Sequence, residues 1–359
     1  MTTQTQAPLE DTSVRFRSLL ALGLVLVVLV LFVVDIVLGS VAIPWKEVVR
    51  ILVGYGSDNQ TWVNIIEKIR LPKALTAMLA GSALAVSGLQ MQTLFRNPLA
   101  GPTALGLTAG ASLGVAVILL SSGSVTTVFV IRQLGWMGSW LIILSAIAGS
   151  SLVLLLLLAI SAKIGDNVVL LIIGLMIGNV TVALVSIWQY FSQPEQIQEY
   201  LLWTFGSLGG VTQRHLYVLS IVISVGLLLS LATSKALNVM LLGQNYARSM
   251  GLPVRRARLL IIMSTSILAG SITAFCGPIG FIGMAVPHLT RSLLNTADHR
   301  VLIPGTCLVG AILMLFCDIV AQVPGSQTVL PINAITALIG APVVIWVIMR
   351  RRNLQSSFS

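Results

Sequence analysis

The chain has 359 residues, of which 56% are hydrophobic and only 9% charged, and its mean hydropathy is +0.98. Soluble domains carry about 25% charged residues, so a globular protein free in water is excluded. The formal charge of +10 comes with no basic stretch interleaved with aromatics on a soluble domain, so it speaks for anionic lipid and topology and against nucleic acid.

A polar N-terminal arm, residues 1–18, comes first. A membrane span needs roughly 20 apolar residues, and ten candidates follow at 19–38, 74–94, 104–122, 138–161, 168–191, 216–234, 259–276, 278–293, 301–320 and 331–349. The eighth is short and contains Pro287 and His288, so it is expected to tilt or to lie buried among other helices. Ser40-Val41-Ala42 resembles a leader-cleavage site. The apolar run before it has 20 residues, longer than the roughly 7–15 of a leader's apolar core, so the first span is expected to stay uncleaved. We read a single integral membrane domain over 19–350 and a short cytoplasmic tail over 351–359. Neither arm nor tail is large enough to fold alone.

With the N-terminus placed in the cytoplasm, 14 of the 21 basic residues fall on inner segments and 7 on outer ones, Arg132 among the latter. That bias puts both termini inside.

The chain also repeats itself. Leu79 to Gly88 read LAGSALAVSG and Leu268 to Gly277 read LAGSITAFCG, six identities in ten at an offset of 189 that also carries Pro98 onto Pro287. Five spans separate the starting points, so the second copy is inverted in the bilayer. Inverted repeats broken by Gly and Pro are a common way to build an alternating pathway.

Enzyme chemistry finds little support. No Gly-Lys dipeptide, HExxH or GxSxG occurs, so the chain carries no phosphate-binding loop, zinc helix or nucleophile elbow. His215, His288 and His299 are far apart and read as packing or interfacial residues. Cys276, Cys307 and Cys317 lie inside expected spans, without disulfide or metal spacing. Gly106, Gly110 and Gly114, and later Gly174 and Gly178, recur every four residues. That period lets helix backbones approach closely, and the smooth faces would also permit sliding.

Between the second and third spans, Arg96-Asn97-Pro98-Leu99-Ala100-Gly101-Pro102 breaks the helix and frees backbone carbonyls on the cytoplasmic side. Cys276-Gly277-Pro278-Ile279-Gly280 is the matching outer break, and Asn167 is a further polar group on the cytoplasmic side. Asp318 lies late in the ninth span near the outer interface, where a helix-end hydrogen bond and a substrate contact are both open readings. The longest cytoplasmic loop, 235–258, holds two short helix-compatible pieces, 236–242 and 244–250. Its apolar residues Leu237, Met240, Leu241 and Leu242 must lie on the bilayer or against a partner.

RLPK at 70–73, GSALAVSGLQMQTLFRNPLAGP, LGLTAGASLG, LLWTFGSLGG, LLGQNYARSMGL, GPIGFIGMAVPHLTR, ADHRVLIPG and LPINAITALIGAP together resemble FecCD-type permeases of bacterial ABC importers for ferric siderophores, haem and vitamin B12. The resemblance implies an all-α, ten-span type II importer fold working as a homodimer or with a paralogous permease. It also implies two cytoplasmic ATP-binding subunits that supply the ATP and magnesium sites, an extracytoplasmic substrate-binding protein, and no cofactor in this chain. In such permeases the loop matching Ala236–Leu252 couples to the ATPase, which assigns coupling to Leu237, Leu241, Leu242, Gly243, Ala247, Gly251 and Leu252. Asn97, Leu99 and Asn167 match a cytoplasmic gate. Arg70 and Lys73 match an outward-facing pair that docks the binding protein. A third docking arginine of the B12 importer falls on Gln322. Lysine at 73 keeps the charge but loses the bidentate fork of arginine. A ferric siderophore is the expected cargo, with haem and cobalamin as alternatives. An ion-coupled secondary transporter is the competing class; it would need intramembrane acids, and only Asp35 and Asp318 lie inside expected spans.

Overall fold

A computed structural model describes residues 9–39, 41–120, 133–134, 136–164, 166–322 and 328–356. Ser40 of the cleavage-like site, Arg132, the first eight residues of the arm and the last three of the tail lie outside the described residues. The described structure is helical and contains no strand. In chain order its helices are α1 (Leu9–Val37), α2 (Trp45–Leu52), α3 (Gln60–Ile65), α4 (Leu71–Leu94), α5 (Leu107–Leu120), α6 (Trp136–Lys163), α7 (Asn167–Phe191) and α8 (Pro194–Thr204). There follow α9 (Gln213–Ala232), α10 (Ser234–Met240), α11 (Gln244–Ser249), α12 (Val254–Cys276), α13 (Ile282–Leu294), α14 (His299–Ala321) and α15 (Ile332–Ser356).

All ten expected segments fall on helices, and among the described residues seven are long and apolar enough to cross a membrane. The differences lie at the ends and in the short pieces. The first span continues back through the arm to Leu9, and the last runs on through the start of the tail. The third opens as a 3-10 turn, Pro102–Leu105, and turns at Gly106 in a left-handed conformation before α5. The eighth, α13, has 13 residues. At about 1.5 Å per residue it reaches roughly 20 Å, short of a bilayer core of about 30 Å. It packs against α4, α14 and α15, so it is buried among helices and does not span. A scan for spans passes over α2 and α8, which are too short to cross. Val48 and Ile51 of α2 instead fill a small apolar cluster with Ile36, Ile43 and Ile66.

Helix α4 is the centre of the fold. It packs against α14, α12, α13 and α9, and almost its whole second half is buried. Pro72 in its first turn has no N–H to give a carbonyl four residues back, and the preceding turn, Ile66–Arg70, widens into a π-helix. A Cβ on Gly81 would stand 2.1 Å from the carbonyl oxygen of Gly310 on α14, and one on Gly88 would stand 1.8 Å from that of Gly283 on α13. The glycine series behave alike: Gly106 lies against Gly174 and Gly178, and Gly110 and Gly114 against Gly149. Their period serves backbone-to-backbone packing.

Interhelical polar contacts set the directions. Lys73, at the start of α4, meets Asp318 near the end of α14, while Thr93, near the end of α4, meets His299 at the start of α14. Asn167 ties the Leu94 carbonyl at the end of α4 to Arg258 at the start of α12. The two repeat copies, on α4 and α12, therefore run antiparallel, as an inverted repeat requires. Gln90 of α4 closes the contact at mid-helix: its Nε2 donates to Ser264 Oγ at 3.2 Å and its Oε1 accepts from Thr265 Oγ1 at 3.0 Å.

Gly88→Val should overpack the α4–α13 contact by several atoms set against backbone, costing about 3 kcal/mol or more. The purified variant should show a collapse of yield or of thermal midpoint. Gly210→Ala, where nothing lies within 4 Å of the added Cβ, should leave both unchanged.

Candidate functional site

The residues singled out by sequence gather at the two ends of α4. One end, the loop face, carries α10, α11 and the break after Leu94. Helix α10 packs on α14 and α4, with Leu237 and Met240 facing inward and Ala247 of α11 buried beside them. Of the seven expected coupling residues, Leu237, Gly243 and Ala247 are therefore struts beneath the surface, Leu241 and Leu252 are half-buried, and Leu242 and Gly251 are exposed. Leu242 is 63% exposed, Tyr246 53% and Met250 58%, and these three make an apolar surface on the loop. Sequence reading missed Tyr246 and Met250, because Gly243 and Gly251 interrupt the periodicity that would have marked them.

The loop is fastened from below. Asn238 Nδ2 donates to Asp298 Oδ1 at 2.6 Å, while Asn238 Oδ1 accepts from the His299 backbone N–H at 2.8 Å and from His299 Nδ1 at 2.7 Å. The His299 Nε2 lies 2.8 Å from Thr93 Oγ1. Asp298 also caps α14 by accepting from the Arg300 N–H. That cap and the Asn238 amide hold its carboxyl below the ordinary range, so its contribution is complete at neutral pH and fades only as pH falls through the lowered value.

The break after α4 is a Schellman cap: the Arg96 N–H returns to the Thr93 carbonyl and the Asn97 N–H to the Gln92 carbonyl. Asn97 Oδ1 accepts from the Leu99 N–H at 2.9 Å, holding the turn, and Leu99 is 47% exposed. His288 Nε2, next in sequence to Pro287, donates to the carbonyl of the repeat-related Pro98 at 2.8 Å. Asn167, expected at the gate, is largely buried here. It is 8% exposed, and its amide joins the Leu94 carbonyl to Arg258 Nη1. Asn167, Leu94, Arg96, Gly243, Tyr246 and Arg248 line a cavity of about 800 Å³ between this break and the loop; Asn97 and Leu99 stand outside that lining.

At the far end of α4 the structure joins Arg70, Lys73 and Gln322 in one buried cluster. Arg70 does not face outward. At 7% exposure, its Nη1 donates to the Ile36 and Val37 carbonyls at 2.8 and 2.9 Å, and its Nη2 to that of Val41. The guanidinium thereby closes the orphan carbonyls at the end of α1. Lys73 Nζ lies 3.0 Å from Asp318 Oδ2, and Gln322 Nε2 donates to Asp35 Oδ1 at 2.7 Å and to Asp318 Oδ2 at 3.3 Å. Asp318, expected near a hydrated interface, is 2% exposed, and Asp35 is 3% exposed. One ion pair, Lys73 with Asp318, is thus buried beside Asp35, and Gln322 links the two acids, so each buried polar group has a partner. A cavity of about 630 Å³ opens beside the cluster, lined by Arg70, Lys73, Asp318, Gln322, Phe205 and Leu330 among others.

Lys73→Ala should strand Asp318 in the interior and lower stability by about 3–5 kcal/mol, read as a fall in thermal midpoint in detergent. Lys73→Met with Asp318→Leu should recover most of that loss, because the buried charge leaves with its partner.

With the geometry in hand, comparison with known proteins is direct. The family model described as the FecCD transport family matches residues 26–350. The vitamin B12 import system permease protein BtuC of Salmonella typhi is 38% identical over 284 residues, covering 79% of this chain and 83% of that protein. Its counterpart from Salmonella paratyphi A has the same identity and coverage. Among solved structures, an inward-facing conformation of a metal-chelate type ABC transporter superposes with a TM-score of 0.79 at 29% identity, covering 92% of this chain and 99% of that one. The chain belongs to the FecCD transport family and is a multi-pass membrane permease of the ABC importer class.

Proposed function

We propose that this chain is the permease subunit of an ATP-driven importer of metal chelates, with cobalamin the first cargo to test. Two copies, or one copy and a paralogue, would form the pathway, and both termini would lie in the cytoplasm. The loop face then meets the two ATP-binding subunits, and the Arg70 face meets the extracytoplasmic binding protein. The observation that carries the reading is the exposed apolar surface of Leu242, Tyr246 and Met250, held rigid by the buried Asn238–His299–Thr93 chain on a loop too short to reach across a bilayer. Such a surface needs a partner. The cobalamin reading is supported by 38% identity to the Salmonella permeases.

One observation weighs against cobalamin and leaves a ferric siderophore as the second reading. Gln322 stands where the resemblance places a docking arginine of the B12 importer, and it is 9% exposed, with its amide committed to Asp35 and Asp318. Docking at this face therefore falls to Lys73, held by Asp318, and to other contacts. Asn97 and Leu99, in the capped turn at the loop face, are proposed to close the inner mouth of the pathway.

The cargo is tested in proteoliposomes holding the assembled complex. Supplied with ATP and the binding protein, they should accumulate cobalamin or, on the second reading, a ferric siderophore. Uptake driven by a sodium or proton gradient without ATP would overturn both. The coupling surface has its own test: Leu242→Asp with Tyr246→Asp places two charges on exposed sites. The permease should fold normally and lose most of its ATPase on affinity purification. Retention of a stoichiometric complex with normal uptake would rule this surface out.

A further inference from the structure

Arg96 is anomalous. It occupies the residue of the Schellman cap that turns left-handed, with φ 48°, a conformation that favours glycine and strains a long side chain. Its side chain, though exposed, reaches the bend between α10 and α11: a Cβ on Gly243 would lie 3.4 Å from Arg96 Nη1. Gly243 itself turns at φ 104°, so neither member of the contact sits in an ordinary backbone region. On its C-terminal side Arg96 is joined directly to Asn97 and Pro98, the turn that His288 holds. Arg96 thus bridges the loop that presents Leu242 and Tyr246 to the segment that breaks α4.

We propose that Arg96 is a positioning residue that transmits movement of the 241–251 loop to the Asn97–Leu99 turn. A rigid push on the bend at Gly243 displaces the guanidinium, and the short cap carries that displacement into the turn, because its two backbone hydrogen bonds leave little slack. The strain of an arginine at a left-handed position has a reason on this account, since glycine would relax the cap and leave the loop and turn unconnected. The inference rests on the loop being the ATPase-coupling element.

Asparagine tolerates the left-handed region, so Arg96→Asn removes the guanidinium while keeping the cap. In the reconstituted complex, Arg96→Asn should assemble with the ATPase and melt like the parent, yet cargo moved per ATP hydrolysed should fall roughly tenfold, within the usual span of site-to-site coupling. Arg96→Lys should restore much of the ratio. An unchanged ratio in Arg96→Asn, with the ATPase still bound, overturns the relay alone. Loss of the relay effect together with ATPase retention in the Leu242 and Tyr246 double variant would instead overturn the coupling assignment beneath it. A drop in melting temperature and hydrolysis in step with uptake would make Arg96 merely structural and also overturn the proposal.

Discussion

The contact of α4 with α14 at Gly81 and Gly310 is the constraint on which the rest depends. Lipid tails are as apolar as leucine, so helices in a bilayer are held by close packing and interhelical hydrogen bonds, with little hydrophobic drive. Here the backbones approach until a single added carbon would stand about 2 Å from a carbonyl. Gly88 and Gly283 repeat that approach on α13, and Gln90 adds hydrogen bonds to α12. Helix α4 is therefore a fixed strut. The twenty-one residues from Lys73 to Thr93 measure about 30 Å, the thickness of the bilayer core. Whatever happens at one end of the strut must be carried by its ends and neighbours, because its middle has no room to deform.

The two ends are built from different physics. At the far end, charged groups are buried and partnered: Lys73 with Asp318, Gln322 bridging Asp318 to Asp35, and Arg70 spent on two carbonyls of the α1 terminus and that of Val41 beyond it. Such a cluster is costly to break one partner at a time, which suits a joint that fixes α1, α4 and α14. It also means that a docking protein seeking Lys73 competes with Asp318. At the loop end the contacts are separate hydrogen bonds, some of them to Asp298 and Arg258, together with a strained cap on short elements. The movable parts of a transporter belong there, on short helices and turns with exposed backbone.

Much of this architecture was legible in the sequence, because hydropathy reports length and burial directly. The ten segments, the break after Leu94, the repeat on α4 and α12 and the apolar loop all follow from run lengths, prolines and glycines. What hydropathy cannot report is which way a polar side chain turns. Arg70 was expected to face outward from the family resemblance, yet α1 ends next to it with two carbonyls to satisfy and that of Val41 just beyond, a demand set by tertiary packing. That Asn167 also ties α4 to α12 was hidden for the same reason. Asp35 and Asp318 looked peripheral while their partners Gln322 and Lys73 were distant in sequence. Helices α2 and α8 escaped because a 20-residue window is blind to amphipathic pieces of 8 and 11 residues. Tyr246 and Met250 went unmarked because Gly243 and Gly251 interrupt the periodicity, and only burial of Leu237 and Ala247 on the opposite side showed which face was free.

The central claim, that α4 is a rigid strut joining a fixed joint to a movable cap, is tested most directly by hydrogen–deuterium exchange on the assembled complex with and without a trapped nucleotide. The account predicts that residues 71–94 stay equally protected in both states while 95–101 and 241–252 change together. Altered exchange through the middle of α4, with those two segments unchanged, would contradict it.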